Sequence, residues 1–331
     1  MGLPQVEGPR VRGLALAGTL LALAPASAIA AESFLVVLVG LGGDEAHRAT
    51  FHDWAGRLTS VAVDANGLSE ERVYYLGEDP EMASAGMYAK ATKENVIALF
   101  DDELRARVRP GDQIFVVLFG HGSFRDEQSR FNLPGPDLTA EDFSLFLKPF
   151  SEQQIIFVNT TSASGGFAPV LTAPNCIVVT STKSGNERNE SQFGKYFVEA
   201  YAGDGADTDK NERVSIWEAF EHARIRVDGY YSEENLLKTE HALLTDEAET
   251  ARTVYLMGSA AVAEGFTEAD VADDPELARL VEDKLALEGR VEALKLQKST
   301  MPEALYLEEL EQLLIQLATV TAGIEARRPT P

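Results

Sequence analysis

A histidine set between two glycines stands directly behind an apolar run. His121 closes QIFVVLFGHGS, in which residues 113–119 read as a buried strand. That placement holds the imidazole at a sheet rim, with little side-chain bulk to block a ligand. An imidazole there suits general acid–base work; the plainer reading is a histidine that hydrogen-bonds a turn. A second set lies in DTDKNERVSIWE, residues 207–218. Asp207, Asp209, Asn211, the Arg213 carbonyl, Ser215 and Glu218 fall on positions 1, 3, 5, 7, 9 and 12 of a calcium loop. Position 6, which wants glycine for its positive φ, is Glu212. Ser215 and Glu218 also have the Ser-x-x-Glu spacing of a capping box opening a helix, so the two readings share residues. No cofactor is expected beyond calcium bound weakly at extracellular concentrations.

Other chemistry-bearing residues point to less. The single cysteine, Cys176, follows Pro174 and Asn175 and opens a β-rich run. It falls at the amino end of the sheet, away from the strand ends that carry sites, and reads as a small buried apolar residue. His47 and His52 lack a constellation of cysteines or carboxylates, His222 lies in a helical stretch and His241 sits near Glu240. HExxH and CxxC patterns are absent, which argues against zinc. VGLGGDE after the first strand lacks the third glycine and the lysine of a phosphate cradle.

The elements that must position these groups are legible as alternation. FLVVLVG (34–40), RVYYL (72–76), QIFVVLF (113–119), QIIFV (154–158) and CIVVTS (176–181) are short runs apolar on both faces. Such runs suit a parallel sheet covered by helices on both sides. Amphipathic stretches at 45–62, 92–107, 139–148, 190–202 and 214–227 intervene. The order predicts an α/β three-layer sandwich with a mostly parallel sheet. Ligands in such sheets sit beyond the carboxyl ends of strands, which directs attention to GLGGDEAHR, GHGSFRDE, NTTSASGG and STKSGNERNE.

Two consecutive strand ends, GHGS after 113–119 and NTTSASGGF after 154–158, resemble the catalytic frame of the legumain and caspase clan of cysteine peptidases. There a histidine followed by glycine ends one strand, and a cysteine in a small-residue turn ends the next. The resemblance is to the legumain-like peptidase family C13 and covers residues 34 to about 260. It implies a caspase-like sandwich and puts Ser162, in SASGG, where the clan has its nucleophilic cysteine. By the same resemblance His121 is the base, Gly122 N–H an oxyanion donor, and Arg48 and Ser181 pocket residues. GGDEAHRATFHDWA and STKSGNERNESQFGKYF are similar to the clan's pocket-helix and substrate-strand regions. Serine departs from the pattern: its hydroxyl needs a well-aligned base to attack, whereas a thiol is partly ionised and intrinsically nucleophilic.

Residues 1–30 carry Arg10 and Arg12, then GLALAGTLLALA and the small-residue stretch ASAIAA, the layout of a cleaved secretory signal. The expectation is a periplasmic or secreted protein with an α/β domain over 31–265. Removing that segment takes the formal net charge from −24 to −25. Such acidity argues against nucleic acid and against anionic lipid surfaces as partners. Over 266–331, Leu277, Leu280, Leu287, Val291 and Leu294 form one helical stripe. Tyr306, Leu310, Leu313, Leu317, Val320 and Ile324 form a second, beyond a break at Met301 and Pro302. These stripes predict a coiled-coil-like helical hairpin, either an arm for homodimerisation or a pair folded back on its own domain. Three functions remain open: a pseudopeptidase that binds peptides or protein partners, an active hydrolase using Ser162 with His121, and a scaffold assembling through the hairpin.

Overall fold

The computed structural model describes residues 31–82, 86–203, 205–258, 264, 266 and 268–328; the expected signal over 1–30 lies outside the described residues. Strands β1 (Ser33–Val39), β2 (Val73–Gly77), β3 (Ala89–Lys90) and β4 (Gln113–Phe119) are followed by β5 (Gly122–Arg125), β6 (Gln128–Phe131) and β7 (Leu138–Thr139). Then come β8 (Gln154–Asn159), β9 (Cys176–Thr180) and β10 (Leu243–Thr245). Seven of them form one sheet in the order β10-β9-β8-β4-β1-β2-β3, while β5, β6 and β7 form a separate antiparallel sheet. In the large sheet only β10, at one edge, runs antiparallel.

Period-two geometry explains why the strands have no polar face. On β1, Leu35, Val37 and Val39 point into one core while Phe34, Val36 and Leu38 point into another. β4 divides likewise into Phe115, Val117 and Phe119 against Ile114, Val116 and Leu118. The first core is closed by α1 (Glu45–Asp64), α6 (Phe193–Ala202) and α7 (Ile216–Glu233). The second is closed by residues 93–107, α4 (Ala140–Leu147) and α5 (Ala168–Leu171). The molecule is therefore the three-layer α/β sandwich the alternation predicts.

Two regions depart from a simple reading. The helix expected over 92–107 is α2 (Lys93–Ala98), a π-helical stretch Leu99–Leu104 and the single turn α3 (Arg105–Arg107). The widened turn puts Leu99, Phe100 and Leu104 in the second core together. GHGSFRDE, expected as a loop, is instead the start of the β5–β6 hairpin.

Beyond Phe266 come α8 (Glu268–Asp273), α9 (Pro275–Gln297) and α10 (Glu303–Glu325). α9 and α10 pack together as the stripes foretell: Phe266, Leu277, Val281 and Ile324 meet at one end, Leu287, Val291, Leu294, Tyr306 and Leu313 further along. Glu288 on α9 pairs with Arg213, which ties the hairpin to the α/β body. Leu305, Leu307, Leu314 and Ile315 stand exposed on α10. Among the described residues no helix is long and apolar enough to cross a membrane.

Cys176 opens β9 inside the second core, and burial pushes its thiol up to about 12. The thiolate is the reactive species, so at pH 8 the protonated thiol is inert. Ellman's reagent should therefore titrate no thiol in the native protein and one after denaturation in guanidinium. Stoichiometric reaction without denaturant would show that β9 is not seated as described.

Candidate active site at the carboxyl ends of β4 and β8

Parallel pairing aligns the two strand ends. β4 and β8 run in register from Gln113↔Gln154 to Leu118↔Asn159. His121 and Ser162 each lie three residues past that last pair, so the sheet delivers them to neighbouring points of one rim. The rim lies beside the switch in strand order: the chain runs outward from β1 through β2 to β3 on one side, then crosses to β4 and runs outward through β8 on the other.

The imidazole of His121 is fixed by groups from the first loop and helix. Its Nε2 donates to the Gly42 carbonyl oxygen at 3.1 Å. A neutral ring bonded in this way keeps Nδ1 as the acceptor. Its flanks are edge contacts with His47 and Phe51 of α1, at ring-centroid separations of 5.1 and 5.3 Å. Glu78 braces the Gly42 loop, accepting Gly42 N–H at 2.9 Å while pairing with Arg48 at 3.2 Å. Arg48 is thus committed to a carboxylate and packs against the loop backbone, where a Cβ on Gly42 would come within 2.6 Å of it.

Ser162 is 6 % exposed. Its hydroxyl donates to the Gly122 carbonyl at 3.0 Å and accepts Gly122 N–H at 3.3 Å, so both of these bonds go to one residue of the β5 start and neither to the imidazole. The approach is close enough to require glycine: a Cβ at 122 would lie 2.0 Å from the Ser162 carbonyl oxygen. Ala163 follows in the left-handed region at φ +55°, with its N–H on the Glu187 carbonyl at 2.7 Å and its carbonyl on Ser129 Oγ at 2.6 Å. A residue with a Cβ in that region costs about 1–2 kcal/mol. The surrounding bonds hold the turn against that strain.

Ser181, expected in a pocket wall, has 0 % exposure. Its hydroxyl donates to the Thr161 carbonyl at 2.6 Å and lies 3.1 Å from Ser164 Oγ. It stitches the β8 turn to the end of β9 and has no surface to offer a ligand.

No family model matches the chain, and no curated protein matches it.

His47 and the Gly42 carbonyl are the site groups that sequence reasoning missed. His47 Nδ1 meets Asp44 Oδ2 at 2.8 Å and its Nε2 lies 3.4 Å from Glu190. The Asp44 hydrogen bond, then that of Glu190, raises its pKa. The signal was present in DEAH: Asp44 is the N-cap of α1, accepting His47 N–H at 2.9 Å, so the same aspartate reaches the histidine ring one turn in. The Gly42 carbonyl, a main-chain group, carries no signature in residue type.

The calcium-loop residues gather away from this rim, between α6 and α7. Asp207, Asp209 and Glu218 each bring a carboxylate oxygen within 4.8 Å of the others. Asp207 accepts Asn211 N–H at 3.1 Å and Glu212 N–H at 2.9 Å, and Asn211 Nδ2 donates to Asp209 at 3.0 Å. The capping box forms too, with Ser215 N–H on Glu218 at 2.9 Å and Glu218 N–H on Ser215 Oγ at 3.2 Å. Burial, with the Glu218 charge next, raises the Asp209 carboxyl to about 6.

The contact at Gly122 is testable against a site where space is free. Overpacking by one methyl costs about 1–3 kcal/mol. Urea unfolding of Gly122→Ala should show a loss of at least that size. In Gly229→Ala, a helical position with nothing within 4 Å of the added Cβ, stability should rise by about 0.5–1 kcal/mol. Equal stabilities for the two variants would remove the close approach from the account.

Proposed function

We propose that the protein is an exported pseudopeptidase of the legumain and caspase type, which binds extended peptides or partner proteins at the β4–β8 rim without cleaving them. The observation that carries this reading is the pair of bonds between Ser162 and the Gly122 backbone. A serine becomes a nucleophile only when its proton is offered to a base. Here the hydroxyl proton points at a carbonyl, which cannot take it. Gly122 N–H, the oxyanion donor implied by the resemblance, is directed at the serine oxygen and not at an incoming carbonyl. Arg48, neutralised by Glu78, leaves no free guanidinium at that point to receive an acidic side chain.

One observation favours an active serine hydrolase as the second reading. The Gly42 carbonyl orients His121 so that Nδ1 is a free acceptor, which is the orienting role that a third group plays in a triad. In that reading the Ser162 proton would have to leave the Gly122 carbonyl and pass to that nitrogen.

A fluorophosphonate probe on the purified protein, read by intact mass, separates the two. The expected result is no adduct, with or without calcium. An adduct on Ser162 that disappears in His121→Ala would establish the hydrolase instead. Returning the sulfur tests the frame itself: Ser162→Cys should be alkylated by a peptidyl acyloxymethyl ketone in a His121-dependent manner. A folded Ser162→Cys that stays inert to the ketone would sink the peptide-binding reading.

A further inference from the structure

We infer that the exposed side of α10 is a homodimer interface, on which a second copy of this chain lays its own α10 antiparallel, about a two-fold axis between Leu314 and Ile315. Tyr306, Leu313 and Ile324 spend one face of the helix on α9. The 3.6-residue period then puts Ala304, Leu307, Leu314, Ile315, Ala318 and Ala322 on an adjoining stripe, and all six are exposed. A helix whose outer face meets only water carries charge there. α10 instead runs thirteen residues, from Gln312 to Ile324, with no charged side chain. An exposed apolar stripe about 27 Å long, from Ala304 to Ala322, has the character of an interface.

The charges at the two ends of the helix say what covers it. Glu303, Glu308, Glu309 and Glu311 give residues 303–311 a formal charge of −4, whereas Glu325, Arg327 and Arg328 leave 325–328 at +1. Among the described residues the ion pairs of this segment are Arg327 with Asp274 and Arg328 with Glu325, and none involves those four glutamates. Antiparallel pairing sets the acidic end of each copy beside the arginines of the other; parallel pairing sets four glutamates against four. A guanidinium has five donors, so each arginine can take a second carboxylate. A basic partner of another kind would answer the glutamates and leave the uncharged stretch uncovered. A second copy answers both.

With the axis between 314 and 315, Leu307 faces the partner's Ala322, Leu314 the partner's Ile315 and Glu311 the partner's Ala318. Away from the axis each large side chain thus meets a small one, the interdigitation that close helix packing needs. The arrangement uses the same patch on both copies, so assembly closes at two. α10 then lies between α9 and the α10 of the partner.

Sedimentation of the mature full chain across a concentration series tests this. A single helix pair is a small interface, so dissociation at about 1–100 µM is expected, with the mass doubling through that range. Leu314→Glu should remain monomeric throughout. Because residue 314 is exposed in the protomer, the variant should keep the wild-type melting temperature at about 1 µM, at the foot of that range. Leu305→Glu changes an exposed leucine of the same helix that lies off the stripe, and should dimerise as wild type does. Direction is read by a nitroxide on Ala326→Cys, since Cys176 is buried. Antiparallel helices place the two labelled backbones about 35 Å apart, and parallel ones about 10 Å. Protomer mass at about 1 mM, tenfold above the expected range, would overturn the inference. So would a Leu314→Glu dimer, a Leu305→Glu monomer or the short distance.

Discussion

The close approach of Gly122 to Ser162 is the constraint from which the rest of the site follows. It exists because β4 and β8 are parallel neighbours in register, so that the chain leaves both strands at the same height. With no Cβ at 122, the backbone of β5 can lie against the β8 turn and take both hydrogen bonds of the serine. The bonds lock the hydroxyl into the wall. They also fix where β5 begins, and through it the antiparallel sheet that covers this end of the molecule. A single main-chain contact thus sets the position of the serine, the direction of its proton and the start of a second sheet.

Around that contact the strand ends are braced by side chains that do no chemistry themselves. Glu78 holds the Gly42 loop, whose carbonyl aims His121, and Arg48 holds Glu78. Ser181 and Thr182 bond the turn that carries Ser164 and Gly165 to the end of β9. The result is a rim of well-fixed groups with the Ser162 proton turned to the Gly122 carbonyl. The same economy recurs between α6 and α7, where Glu218 caps a helix with one oxygen and faces the acidic loop with the other. Arg213 then extends that loop to the hairpin through Glu288.

Much of this architecture was legible because burial leaves a simple pattern. Five apolar runs became five central or near-central strands, and the two stripes of the C-terminal segment became the packed faces of α9 and α10. The β5–β6 hairpin was not legible. Its turn uses Asp126 and Glu127 at φ +51° and +62°, a conformation that usually announces itself with Asn-Gly. Glu212, which the sequence places where a calcium loop wants glycine, takes φ +64° despite its Cβ. At the rim, strand-end placement singled out His121 and the family resemblance singled out Ser162, but the groups that hold them include two carbonyls, those of Gly42 and Gly122. Main-chain groups of that kind become visible only once the strands are in register.

The most direct measurement is the ¹⁵N imidazole spectrum of His121 in its neutral form, compared between wild type and Ser162→Ala. The account predicts a protonated Nε2 held by the Gly42 carbonyl, with Nδ1 unprotonated and its shift unmoved by loss of the serine hydroxyl. A change at Nδ1 on removing that hydroxyl would contradict it, because it would show that the serine proton is already shared with the imidazole and that the site is a working dyad.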